Sequence, residues 1–288
     1  NDARFAKAKE IYSTIMNDLE NPDYFDRRNS RFNIVKFDTP SRVFKWFIVT
    51  VLGLLKIFAK NVVKKPSIIF NKCRYYLLNK IQHLLLTSPK FFDKVNLNDK
   101  YIYYTLHCAP EYSINIQGTM WLDQLNNIEL LAKSIPADWN VYVKEHPGTL
   151  VARVRPINFF KKIKELPNVR LIPIDEDMHK IISNAEMVAV VVGTAGLDAV
   201  LRGIPSISFA DNSWDVMGLS KKCTDVEGLS VDIINEIKRI SKISITERKK
   251  RIICFLAAVL EHSFHITHPN ELVYTEIGTD EQYEVCGR

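Results

Sequence analysis

From Tyr101 to Phe209, short apolar runs alternate with segments whose apolar residues recur every three or four positions. The runs are YIYYTL from Tyr101, Val141 to Glu145, Val169 to Ile172, Met187 to Val192 and Pro205 to Phe209. Met187 to Val192 is unbroken and rich in Val, as expected of a strand covered on both faces of a parallel sheet. Between the runs, Leu122 to Ser134, Pro156 to Glu165 and Asp177 to Asn184 read as helices. Gly193-Thr194-Ala195-Gly196 reads as a sharp turn with little side chain above it. Leu197, Val200 and Leu201 then open a helix that Gly203 and Pro205 end. This alternation predicts an α/β protein, a Rossmann-like parallel sheet with helices on both faces. His107 to Gly118 and the stretch around Trp214 read as loops, and helices follow at 230–240 and 246–263.

The first hundred residues have a different texture. Phe5, Ala8, Ile11, Ile15 and Leu19 place an amphipathic helix over 2–20, stopped by Asn21-Pro22-Asp23. Residues 24–39 have no period and read as a loop. Residues 40–63 and 67–86 read as two more helices. Trp46 to Leu55 is almost uninterrupted apolar sequence between Lys45 and Lys56, too short for the ~20 residues that span a bilayer. No strand-helix alternation precedes Tyr101. The expected organisation is therefore a helical, basic connecting or membrane-facing segment (1–99), a nucleotide-binding α/β domain (100–228), and carboxyl-terminal helices with a loosely held tail from Phe264 (229–288).

Composition adds two points. The net charge of +6 is concentrated: between Ser41 and Lys100, twelve basic residues face only Asp93 and Asp99, a net +10, which leaves −4 elsewhere. Such a block points to an anionic neighbour. Two aromatic, basic helices suit an anionic membrane interface; packing on each other or on a further domain is the other reading. No nucleic-acid-binding motif accompanies the charge. The five cysteines are scattered, with no CxxC pair, which suits a reducing compartment. The expected location is cytoplasmic, at the inner face of the membrane. The chain opens on Asn1 and shows no signal-peptide pattern, so it is expected to be part of a longer one.

The candidate chemistry gathers at predicted carboxyl ends of strands, where open α/β sheets bind ligands. His146 follows a strand, and Pro147 keeps its backbone out of the helical region, so its imidazole is carried at that edge. Gly193 and Thr194 precede a helix whose first N–H groups suit a phosphate; Thr194 is also a natural cap. Asp198, one turn further on, is placed to accept from ribose hydroxyls or to pair with Arg202. Glu111 is a carboxylate in the loop after the first strand, a candidate for acid–base work. Asp175-Glu176-Asp177 has the form of a metal-binding DxD, but its place before a helix suits capping better. His262, His265 and His268 are spaced by three without the further ligands a zinc site needs. No metal or other cofactor is expected.

Three ordered stretches carry a resemblance. They are YIYYTLHCAPE (101–111) with its continuation over 121–147, LPNVRLIP (166–173) and GTAGLDAVLRGIPSISF (193–209). Together they resemble the capsular polysaccharide biosynthesis proteins, glycosyltransferase-like chains of the GT-B fold, over residues 100–212. The resemblance implies the carboxyl-terminal, donor-binding half of two facing Rossmann-like domains. It implies a nucleotide sugar as donor, a polysaccharide or glycolipid as acceptor, and phosphate contacts from His146, Gly193 and Thr194, with Asp198 on ribose. The chain departs from the family at Leu197, where an aromatic is more usual, at Asp198, where Glu is, and at Ala109, where Gln is. Catalytic roles for His146 and Glu111 are expectations on this basis. Two other readings stay open: a UDP-N-acetylglucosamine 2-epimerase-like enzyme, although its Gly-Gly-x-Gln-Glu-Glu pattern is absent after the glycine turn, and a non-catalytic assembly or export protein.

Overall fold

A computed structural model describes residues 2–20, 39–61, 66–86, 88–108, 111, 113–150 and 155–262. The tail from Phe264 and all but Thr39 of the loop read at 24–39 lie outside these residues. In chain order the main elements are α1 (Asp2–Glu20), α2 (Pro40–Asn61), α3 (Pro66–Leu86), β1 (Tyr101–Thr105), α4 (Gln124–Ser134), β2 (Asn140–Lys144), α5 (Ile157–Lys164) and β3 (Val169–Ile172). They continue with α6 (Met178–Asn184), β4 (Met187–Val190), α7 (Thr194–Arg202), β5 (Ser206–Ser208), β6 (Lys221–Lys222), α8 (Leu229–Ser241) and α9 (Ile245–Glu261).

The six strands are parallel, in the order β3-β2-β1-β4-β5-β6. The direction of winding therefore reverses between β1 and β4. In open α/β sheets that switch point leaves a crevice outside the carboxyl ends of the strands. The β1 pattern explains its central place. Ile102, Tyr104 and Leu106 point into a core shared with Ile128 and Leu131 of α4, Phe160 and Ile163 of α5 and Leu229 and Ile233 of α8. Tyr101 and Tyr103 point the other way, against Ile181 and Ile182 of α6 and Ala195 and Ala199 of α7. Each fully buried Leu, Ile, Val or Phe contributes about 1.5–3 kcal/mol, so slipping β1 by one residue would invert both cores. The buried tyrosine rings keep their hydroxyls bonded: Tyr101 donates to the Ile181 carbonyl at 2.7 Å and Tyr142 to Asp99 at 2.7 Å.

Helix ends follow local chemistry. Asp123 caps α4, accepting from the Leu125 and Asn126 N–H groups at 3.1 and 3.2 Å. Asp177 caps α6 by accepting from His179 and Lys180. Gly203, at φ 80°, closes α7 in the left-handed region that favours glycine. Two expectations change. The helix after β4 begins at Thr194, not near Leu197, so Gly196 lies within it. A Cβ there would meet Val190 Cγ2 at 3.0 Å and Ser206 Oγ at 3.1 Å; the glycine lets α7 sit close on the sheet. The strand β6, unforeseen because Lys-Lys has no apolar signal, forms by register alone, Ile207 opposite Lys221 and Ser208 opposite Lys222.

Outside the α/β layers, α1 packs on α9, with Ala8 buried among Ile253 and Ala257. Arg4 and Glu261 add an exposed ion pair at 2.8 Å. α2 and α3 form an antiparallel pair in which Tyr76 donates to the Val49 carbonyl at 3.4 Å.

Candidate phosphate-binding edge at the switch point

Two residues past β1, His107 is buried, and its Nε2 accepts the Val191 N–H beyond β4 at 3.3 Å. A Cβ on Gly193 would lie 2.9 Å from His107 Cε1. Gly193 is extended, at φ −170°, so the site needs glycine for close approach of the ring and not for an unusual backbone. His107 thus bridges the two strands that flank the switch point. Burial, then the positive potentials of His146 and Arg155, lowers its pKa from 6.5 to about 4. The ring is neutral near pH 7, with its proton on Nδ1, because Nε2 accepts.

A second set of contacts ties the β1 loop to the β2 loop. Gln124, at the start of α4, brackets the His107 backbone, accepting its N–H at 2.8 Å and donating to its carbonyl at 3.3 Å. Arg155 also donates to that carbonyl. The Arg155 Nε donates to Glu145 Oε2 at 2.7 Å, and Glu145 Oε1 accepts the His146 N–H at 2.8 Å. Burial pushes the Glu145 carboxyl above its ordinary range, while Arg155 and the His146 N–H pull it down. Lys144, also buried, donates to the Glu176 carbonyl at 2.7 Å and pins the loop before α6.

These contacts fix His146, whose side chain is exposed at the rim. Its Nδ1 accepts the Gly148 N–H at 3.0 Å and lies 3.1 Å from Cys108 Sγ. Burial, then the charges of Glu111 and Glu145, pushes the Cys108 thiol up to about 11, so it stays protonated and donates to Nδ1. With Nδ1 accepting, the neutral His146 carries its proton on Nε2, the correct tautomer for donating to an anion. On the other side of the switch point, α7 begins without a side-chain cap.

The sequence-predicted residues fall as follows. His146, Gly193 and Thr194 all lie at the carboxyl edge, on β2 and β4 connections. Thr194 is exposed and is the first residue of α7; the cap position belongs to Gly193, which corrects the capping reading. Asp198 is half-buried one turn into α7, while Arg202 reaches Ser183 Oγ at 3.1 Å and His179 Nδ1 at 2.9 Å. Glu111 is exposed on the same rim, near enough for its charge to act on Cys108. Asp177 caps α6, and among the described residues no three His, Cys, Asp or Glu gather as metal ligands. His262 ends α9; His265 and His268 lie outside the described residues. Sequence reasoning passed over His107, Gln124, Glu145 and Arg155.

The neutral His107 has a consequence for stability. Its folded pKa is depressed, so between pH 6.5 and 4 the unfolded chain binds a proton that the folded chain does not, and stability falls as pH falls through that window. Between pH 7 and pH 5 the native chain is expected to lose about 2 kcal/mol more than His107→Gln, measured by urea unfolding. Equal losses would place the imidazole in contact with water.

Fold and edge define a Rossmann-like α/β domain with a polar crevice at its switch point. Residues 88–227, just under half of the chain, match the family model described as capsule polysaccharide biosynthesis protein. No curated protein matches the sequence. Solved structures similar to it include Anabaena HepE in complex with UDP-glucose, at 15% identity and TM-score 0.36, over 58% of this chain and 45% of that one. UDP-GlcNAc 2-epimerase from Methanocaldococcus jannaschii aligns at 16% identity and TM-score 0.40, over 65% and 54%. Thermosulfurimonas dismutans KpsC, a beta Kdo 2,7 transferase, aligns at 15% identity and TM-score 0.37, over 72% and 66%. The chain thus spans about half the length of the first two and two thirds of the third.

Proposed function

We propose that this chain is the donor-binding half of a GT-B-type glycosyltransferase that builds a surface polysaccharide from a nucleotide-activated sugar. The observation that carries this reading is that a rim imidazole with Nδ1 accepting and a helix start with no side-chain cap both lie beside His107 at the carboxyl edge of the sheet. The His146 Nε2–H and the first N–H groups of α7 meet the donor's phosphate; Gly193 keeps the approach open; Asp198 takes the ribose. In transfer, an acceptor hydroxyl takes the sugar at its anomeric carbon and gives up its proton to a base, while the bond from that carbon to the phosphate oxygen breaks and negative charge builds on the departing nucleotide. Fixed N–H donors stabilise that charge without reorganising. Glu111 stands at the rim for proton transfer to or from the sugar side. The acceptor, a polysaccharide or glycolipid, enters from a facing domain outside this chain, at the inner surface of a membrane.

A thermal-shift screen against CMP-, UDP-, GDP- and TDP-sugars tests the donor reading. A ligand at about 100 times its Kd stabilises by about 2.7 kcal/mol, a shift of several degrees for a chain of this size. No shift with any of the four classes would remove the reading. Binding is expected to need no divalent metal, since N–H donors meet the phosphate and Asp177 is engaged as a cap. The best nucleotide should bind equally with and without EDTA; loss on chelation would return Asp175 and Asp177 to consideration as ligands.

A further inference from the structure

The α2–α3 pair presents a surface that the α/β domain does not use. Phe44, Phe47, Leu55 and Phe58 are each more than half exposed, an arrangement too apolar for a face left in water. On a helix turning about 100° per residue, these four fall with Ile48 and Val51 into a single stripe along α2. Lys45 and Lys56 fall beyond one edge of that stripe, past the exposed Leu52, and Arg42 and Lys60 lie further round the helix. The opposite side is taken up by α3: Gly53 lies against the Tyr76 ring with no room for a Cβ, and Asn61 accepts from Lys72 at 3.0 Å. On α3, Phe70 and Leu78 extend the exposed apolar surface.

Charge selects the occupant. The two helices carry Arg42, Lys45, Lys56, Lys60, Lys72, Arg74 and Lys80 and contain no Asp or Glu. A second copy of the hairpin would bring like charge against like charge, whereas an anionic surface is attracted. Among the described residues no helix is long and apolar enough to cross a membrane. A long amphipathic helix with aromatic side chains on one face and lysines at its border suits the plane of the interface, with the ammonium groups at headgroup level.

We propose that the α2–α3 hairpin lies in the interface of an anionic lipid membrane, with the Phe44-to-Phe58 stripe of α2 buried among the acyl chains and its border cations on the headgroups. The inference stands on the hairpin alone, independent of which nucleotide the α/β domain takes. The test is flotation of the whole chain with vesicles of phosphatidylcholine, and with vesicles that also contain phosphatidylglycerol. The native chain should float with the anionic vesicles, hardly with the neutral ones, and be released as salt is raised. Phe47→Glu combined with Leu55→Glu, both at exposed positions, should weaken vesicle binding at least about tenfold, and Lys56→Glu with Lys60→Glu roughly tenfold. Unchanged circular dichroism in both variants shows that the fold is intact. Equal binding to both vesicle types, equal binding by native and variant chains, or no binding at all would each overturn the proposal. So would a native chain that is dimeric and lipid-indifferent and becomes monomeric with the Phe47 and Leu55 substitutions, for then a second copy covers the face.

Discussion

Arg155→Met lowers the unfolding free energy by about 3–5 kcal/mol, the largest stability loss expected from a single change at the carboxyl edge. The size follows from burial. The Glu145 side chain is fully buried and that of Arg155 only 12% exposed, with Nε and Oε2 2.7 Å apart. Removing the guanidinium leaves a carboxylate with its charge uncompensated in a dry site and takes a donor from the His107 carbonyl. The chain must then protonate Glu145 or unfold. A carboxyl with a raised folded pKa is best tolerated at low pH, so the deficit of Arg155→Met against the native chain should narrow as pH falls. Arg155→Met with Glu145→Gln should recover most of the loss, because both charges are gone. Urea unfolding of the three variants measures this. A loss under about 1 kcal/mol would show the pair to be solvated and of surface-pair strength.

The parts of this architecture that were legible in the sequence owe it to burial on two faces. Met187 to Val192 had to be apolar throughout because cores press on both sides of β4, and such a run is conspicuous. Asp177 announced a helix start through short-range capping chemistry, whereas the cap at Asp123 was read as part of the helix it precedes. β6 was invisible because an edge strand of two lysines is made by its register with β5. In the site, His146 and Gly193 could be found because each sits where a strand ends, a place that local sequence marks. The Arg155–Glu145 pair and the His107 bridge could not. Their partners meet only after β1, β2 and β4 are laid side by side, and no spacing encodes that. Gln124 read as an ordinary polar helix residue, yet both ends of its amide hold one backbone unit. His179 teaches the same lesson from the other direction. In the sequence it sits in a connecting helix and looks a harmless control position. In the fold it is buried and 2.9 Å from the Arg202 guanidinium, so alanine there is expected to disturb α7.

His146→Ala weakens binding of the preferred nucleotide sugar about 10- to 100-fold, with the fold unchanged by circular dichroism. The side chain is exposed, so its removal opens no cavity in either core. What is lost is one hydrogen bond to a charged phosphate, a contact of about 1.5–3 kcal/mol. Asp198→Ala is expected to weaken binding too. His146→Gln, which keeps a donor on a side chain of similar reach, should recover part of the affinity. Gly193→Val tests the other wall: its side chain would be driven into the buried His107 ring, so α7 would have to shift and the affinity for nucleotide is expected to fall. Unchanged affinity in both His146→Ala and Asp198→Ala would place the nucleotide elsewhere.

The position of the nucleotide is the central claim, and nuclear magnetic resonance can locate it in the native chain. The nucleotide selected by the thermal screen is titrated into isotope-labelled protein while backbone amides and histidine side-chain nitrogens are followed. The largest changes should fall on the Thr194 and Ala195 amides at the start of α7 and on Nε2 of His146, with Nδ1 still accepting from Gly148. Saturable changes confined to residues away from the carboxyl ends of β1, β2 and β4, or no saturable change at all, would contradict the account.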